Sequence, residues 1–207
     1  MSSETDPDNA GNKRDLSDIY VRFIDILFAV VLGQSFVLLS SEEGFKPWLG
    51  EPLKNAFGIA TLLLVYGLVI TSWIGYHRST RIFPIKNPLR FVIDVLLLFL
   101  YYMGFVNSNN FELVSWIFFL TFFSYTIWDI LRIFEYYDQK GVIRLLLKRL
   151  AISAIFAALF FVSTYGYIQL VKEITGIEWA FFVVSLLLLI IFRYLKWYKE
   201  IPFNEKK

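Results

Sequence analysis

Residues 57–90 read FGIATLLLVYGLVITSWIGYHRSTRIFPIKNPLR. The first 20 carry no charge, and the next 14 carry four, all positive: Arg78, Arg81, Lys86 and Arg90. A helix needs about 20 predominantly apolar residues to cross about 30 Å of hydrocarbon. Residues 57–76 therefore read as one membrane crossing that ends in a basic loop. Pro84 and Pro88 keep that loop compact, and the chain turns back into a second apolar stretch at 89–106.

The same alternation runs through the whole chain. Six apolar stretches can be drawn, at 19–39, 57–76, 89–106, 111–134, 145–170 and 179–197. Assigning each Lys and Arg to the nearest flank gives 3, 2, 4, 0, 5, 1 and 5 from the N- to the C-terminus, so 17 of the 20 lie on one side. Short loops rich in Lys and Arg stay cytoplasmic. The pattern predicts an all-α, polytopic membrane protein with six transmembrane helices and both termini in the cytoplasm. A plasma membrane is expected, the inner membrane of a bacterium, with the lipid bilayer as first partner. The acids sharpen the asymmetry: 12 of the 18 Asp and Glu fall on the basic side, leaving it at +5 and the other side at −3.

Composition agrees. The chain is 57% apolar and 19% aromatic, with a mean hydropathy of +0.57, well outside the usual soluble range. Helices satisfy their own backbone polar groups in lipid, which an open sheet edge does not. Six crossings use most of the 207 residues. The expected organisation is a flexible acidic tail at 1–18, a six-helix domain at 19–197 and a short tail at 198–207. The N-terminal segment does not read as a signal peptide. The outer loop at 40–55 carries Trp48 at the expected headgroup level, and residues 107–110 form a tight turn. Cysteine is absent, which rules out disulfides and thiolate metal sites. No cofactor or metal is expected.

Inside the spans the polar residues narrow to two groups. Asp25, Asp94 and Asp129 all fall within about two turns of the basic end, and an arginine stands one turn nearer that end in each case: Arg22, Arg90 and Arg132. Spacings of three or four residues put both side chains on one helical face. These six residues read as structural ion pairs whose arginines reach for the headgroups, or as a polar collar around an inner vestibule. Gly33, Gln34 and Ser35 form the second group, mid-span in the first helix. Gln34 wants a hydrogen-bond partner or water there, and small neighbours let helices approach closely. With Asp25, Val30 and Gly33, Gln34 is a candidate pore-lining residue, and Val30, Val31 and Phe36 are candidates for a constriction that gates by dewetting.

The first span also carries a resemblance. It reads Phe23-Ile-Asp25-Ile-Leu-Phe28-Ala29, which resembles the F-S-D-x-x-F-A signature opening the first helix of the lysosomal-type potassium channel family and its bacterial relatives. Phe23, Asp25, Phe28 and Ala29 match. Ile24 replaces the family's serine, Arg22 stands directly before Phe23, and Gly33-Gln34 replaces the usual Thr-Leu. Trp73 followed by His77 is similar to the end of that family's second helix. The resemblance implies a six-helix channel without a P-loop, assembled as a homo-oligomer, with a tetramer favoured, around its first helices, and passing inorganic ions.

A second resemblance is organisational: small multi-span proteins with a basic cytoplasmic rim are similar to membrane channel effectors of bacterial antiphage defence. The rim here comprises Arg78, Arg81, Lys86, Arg144, Lys148, Arg149, Arg193, Lys196 and Lys199. Such clusters bind phosphates by charge and by arginine forks, so a cytoplasmic nucleotide or oligonucleotide is a candidate ligand. Contacts to anionic lipids explain the same charges.

Catalytic residues are scarce. His77 is the single histidine, and no G-x-S-x-G, H-E-x-x-H or Walker-type loop occurs. No catalytic residue is assigned, and the one enzyme alternative is an intramembrane dyad of Asp94 and Asp129. The expectation is a homo-oligomeric, pore-forming ion channel gated from the cytoplasm, with an antiviral role conceivable. A small-solute transporter or a non-conducting accessory subunit is the alternative.

Overall fold

A computed structural model describes residues 7–40, 55–171, 174 and 176–198. Within the described residues the chain forms six α-helices and no strand. They are α1 (Pro7–Ser40), α2 (Ala56–Ile82), α3 (Pro88–Val106), α4 (Phe111–Glu135), α5 (Lys140–Leu170) and α6 (Ile177–Tyr198). All six are long and apolar enough to cross a membrane, so the chain is a multi-pass membrane protein. The loop carrying Trp48 and the rim residue Lys199 lie outside the described residues.

Local chemistry sets the helix ends. Pro88 starts α3 behind an Asn87 cap, whose side chain accepts from Leu89 N at 2.9 Å. Asn110 caps α4 by accepting from Leu113 N at 3.2 Å. The expected tight turn before it is closed by Asn110 N donating to Asn107 O at 2.8 Å. Gly176 takes a φ of 81° just ahead of α6, a left-handed conformation that glycine adopts at little cost. Two expected boundaries are corrected. The segment expected to be an irregular tail is helical from Pro7: proline is pre-organised for the first helical position, and the acids there suit the positive end of the helix dipole. α2 runs past 76 to Ile82, where Thr80 Oγ1 donates to Tyr76 O and burial of Ser79 and Thr80 holds the extra turn in the bundle.

The helices close into a ring in the order α1, α3, α4, α5, α6, α2, with α2 touching α1, α3 and α6. α2 and α3 approach closely where Gly104 faces Val65; a Cβ there would stand 3.2 Å from Val65 Cγ1. α1 is the most loosely held span. It buries Ile24, Phe28 and Ser35, while Ile19, Phe23, Ile26, Val30, Phe36 and Val37 are exposed.

Along its axis the interior is divided. Mid-bundle it is packed by phenylalanines: Phe122 stacks on Phe160 at 4.3 Å and meets Phe192 edge-on at 4.7 Å. Nearer the basic end the same helices bury charge. Arg90, Asp94, Asp129 and Arg132 are almost fully enclosed.

Candidate functional site

Between the phenylalanines and the basic end lies a cavity of about 80 Å³, with walls from all six helices. Ser72, Tyr76 and Ser79 come from α2, Asp94 and Tyr101 from α3, Tyr125, Trp128 and Asp129 from α4, Arg149 from α5, and Arg193 and Lys196 from α6; α1 adds Ile24 and Phe28. Helical spacing explains the convergence. Ser72 and Ser79, Tyr125 and Asp129, and Arg193 and Lys196 are each three, four or seven residues apart, so each pair projects from one face of its helix. Asp94 and Tyr101 are likewise seven apart, which places them about 10 Å apart along α3.

The deep end is a hydroxyl layer organised by Arg193. Its Nε donates to Thr71 Oγ1 at 2.9 Å, and its Nη2 donates to Ser72 Oγ at 2.5 Å and Tyr125 OH at 3.2 Å. Ser72 Oγ donates to Leu68 O at 2.5 Å. With that proton committed, Tyr125 donates to Ser72 Oγ at 2.5 Å and Tyr101 donates to Tyr125 OH at 2.7 Å. The hydroxyls thus run in one direction, each accepting from its neighbour nearer Tyr101. Arg193 is 8% exposed, and no described carboxylate forms an ion pair with it.

Nearer the basic end, Asp129 is held on one oxygen. Oδ2 accepts from Lys196 Nζ and from Ser153 Oγ, both at 2.6 Å. Arg132 Nη1 stands 3.7 Å from Oδ1 and donates to Ser79 Oγ at 2.9 Å. Asp94 differs. It is 4% exposed and lines the cavity, yet its Oδ2 has no hydrogen-bond partner. The Tyr76 hydroxyl and Asp129 Oδ1, on the same walls, are also without one, and the Trp128 indole N–H is turned to the Asp94 carboxylate. A buried polar group left unpaired costs about 1–3 kcal/mol, so three such atoms around one cavity form a site shaped for a polar occupant.

The floor at the basic end is pinned by Glu135. Its Oε1 accepts from Asn87 N at 2.7 Å and Lys86 N at 3.2 Å, and its Oε2 pairs with Arg90 Nη1. Arg90 sits 4.3 Å from the Trp128 ring centroid, and Arg132 sits 4.1 Å from that of Phe83. Tyr136, just beyond α4, donates to Pro84 O at 2.8 Å. Burial holds its phenol above the ordinary range, so the hydroxyl keeps its proton and its donor role.

Several expected sites are relocated. Of the three ion pairs, Asp129 with Arg132 is present, though Lys196 is the closer partner. Arg90 pairs with Glu135 and not with Asp94, because the loop folds back and brings that carboxylate to it. Asp25 is bound by His77 Nε2 at 2.7 Å and Trp73 Nε1 at 3.2 Å, while Arg22 is exposed. Neither Arg90 nor Arg132 reaches for the headgroups; both are 0% exposed, held by carboxylates, hydroxyls and aromatic rings. Tyr101 and Trp128 are cavity walls.

Three expected rim residues, Arg149, Arg193 and Lys196, turn inward, and Arg78, Arg81, Lys86, Arg144 and Lys148 remain exposed. Val30, Gly33 and Gln34 lie exposed on α1, away from this cavity. Ser35, next to them, is buried and shares a 2.8 Å hydrogen bond with Tyr66 OH. Glu135, Tyr125 and the serines of α2 were not singled out from sequence. Same-face polar pairs in the basic third of each span are the signal that marks them. Among the described residues no three His, Asp or Glu side chains converge to hold a metal ion. Comparisons with family models, with curated proteins and with solved structures found no match.

Proposed function

We propose that this membrane protein moves a small polar solute or ion, and that the buried cavity is its binding site, reached from the basic, cytoplasmic end. One observation carries this: Asp94 Oδ2, the Tyr76 hydroxyl and Asp129 Oδ1 lack hydrogen-bond partners in the walls of a single cavity inside a membrane bundle. Intramembrane ionisable groups are costly, and they mark ion and substrate pathways. The phenylalanines around Phe122 close the deep end, as a one-sided binding state requires, and their movement would open the far side.

The test is transport in proteoliposomes given steps of KCl, inorganic phosphate or glycine, with the current or tracer uptake recorded. Flux above protein-free liposomes that is lost in Arg193→Gln, with the variant still monodisperse, supports the proposal. No flux of any of the three overturns it. The cysteine-free chain also permits a direct accessibility test. Ser79→Cys should react with a membrane-impermeant thiol reagent added on the side of the termini, and be protected from the other side.

A second proposal retains the expected homo-oligomeric channel. Gln34 and Gly33 lie on the exposed face of the most loosely held span. A mid-membrane amide facing outward is better placed against another copy, or against water in a pore lined by α1, than against lipid tails. A tetramer by mass in native nanodiscs, with conductance altered by Gln34→Leu, supports that arrangement.

A further inference from the structure

The three unpartnered atoms in the cavity walls have one property in common. Asp94 Oδ2, Asp129 Oδ1 and the Tyr76 hydroxyl oxygen are all able to accept a hydrogen bond. The two aspartates are almost fully buried. The Trp128 N–H is already turned to the Asp94 carboxylate, and Arg132 Nη1 stands 3.7 Å from Asp129 Oδ1, beyond hydrogen-bond reach. What the walls lack is donors. A primary ammonium carries three N–H groups and no acceptor, which matches the three atoms.

The charges lining the same space point to the other half of the ligand. Among the described residues Asp94 forms no ion pair, and Arg90, one turn below it, is held by Glu135. Lys196 is satisfied by Asp129, and Arg149 has a partner of its own. Arg193 is bound by Thr71, Ser72, Tyr125 and Leu68 O, and by no described carboxylate. An ammonium alone answers Asp94 and leaves Arg193 without a counter-charge. A carboxylate on the same molecule accepts from Arg193. A zwitterion thus supplies both counter-charges and brings no net charge into a buried site, where an unbalanced one is costly.

Spacing and size agree. Asp94 lies two turns, about 10 Å, below Tyr101 along α3, and Tyr101 joins Arg193 through Tyr125. An α-amino acid with a hydrogen bond of about 2.8 Å at each end bridges roughly 8–9 Å. The cavity measures about 80 Å³. At about 10–15 Å³ per water it holds about five to eight waters, the bulk of glycine or alanine. Ile24, Phe28 and Leu97 add apolar wall for the carbon chain. We propose that the cavity binds a small zwitterionic α-amino acid, its ammonium on Asp94, Asp129 and Tyr76 and its carboxylate on Arg193. The proposal rests on the cavity being the binding site, and it names the class of solute.

The experiment measures binding of glycine, acetate, methylammonium and phenylalanine to the detergent-purified full chain by calorimetry, with thermal shift as a second readout. Glycine is expected to bind at least about tenfold more tightly than acetate or methylammonium, equivalent to about 1.4 kcal/mol. Phenylalanine is expected to be excluded by its size. Asp94→Asn should weaken glycine at least about tenfold while keeping its unfolding temperature, and Arg193→Gln should do so from the other end of the ligand. Tyr76→Phe deletes one acceptor and should weaken glycine less. Glycine affinity unchanged in Asp94→Asn overturns the proposal. So does acetate, methylammonium or phenylalanine binding as tightly as glycine, or no binding of glycine. Flux of KCl or phosphate without glycine binding overturns this proposal alone. Glycine binding with no flux of any probe leaves it standing and overturns transport.

Discussion

The inner cavity and the outward face of α1 both hold polar side chains at membrane depth, and they differ in how those groups are supported. In the cavity, six helices contribute, hydroxyls run in a directed chain from Tyr101 to Leu68 O, and the remaining unpaired atoms surround one space. On α1, Gln34 and Gly33 are exposed among Val30, Phe36 and Val37, and Gln34 lines only an open apolar groove beside Val95, Phe99 and Tyr102 of α3. A built network fixes the geometry of its unpaired atoms, which is what recognition of a solute requires. An isolated amide on a loosely held helix supplies association instead.

Removing a charge from the network should give the largest effect. Asp129→Ala leaves Lys196, and with it Arg132, without a buried counter-charge, a loss of about 3–5 kcal/mol when a buried pair is broken on one side. Thermal unfolding followed by tryptophan fluorescence would read this, and adding Lys196→Met should recover part of it. Wild-type stability in the single variant would break the comparison at its strongest point. Next comes the closed deep end. Phe122→Ala opens a void among Phe160, Phe192 and Phe156 and should cost about 3 kcal/mol. The matching change on the outer face, Phe36→Ala, should stay within about 0.5 kcal/mol.

Smaller effects separate hydrogen bonds from packing. Tyr101→Phe removes the first donor of the hydroxyl chain, a change of about 1 kcal/mol in the same melting assay. Gln34→Leu should leave the isolated chain unchanged, and where copies associate it should weaken them by about 0.6 kcal/mol, read from the monomer fraction on dilution in detergent. Asp94→Asn is expected to be neutral or slightly stabilising, because it removes a buried charge that lacks a hydrogen-bond partner at Oδ2. Destabilisation comparable to Asp129→Ala would mean that the two aspartates do the same job.

The bundle was legible from residues 57–90 outward because membrane crossing depends on quantities that sum along a chain: apolar length, and Lys and Arg at the ends. The site was legible only in part. Asp94, Asp129, Arg149, Arg193 and Lys196 stood out because charge inside or beside a span is rare. Their partners did not, because pairing in a bundle is set by which helices touch. Arg90 has Asp94 one turn away on its own helix and still pairs with Glu135, since the turn between α2 and α3 packs against the end of α4. Asp25 is likewise claimed by His77 and Trp73 across a helix interface. Ser72 and Tyr125 are ordinary residues of apolar spans until Arg193 is placed beside them.

The comparison comes to a direct test in proteoliposomes that hold wild type, Arg193→Gln or Gln34→Leu at matched protein content, with flux of inorganic phosphate, KCl and glycine recorded for each. If the cavity carries the activity, Arg193→Gln abolishes the wild-type flux and Gln34→Leu preserves it. Flux that survives Arg193→Gln and disappears in Gln34→Leu would contradict this, and would place the conducting path on the outer face of α1.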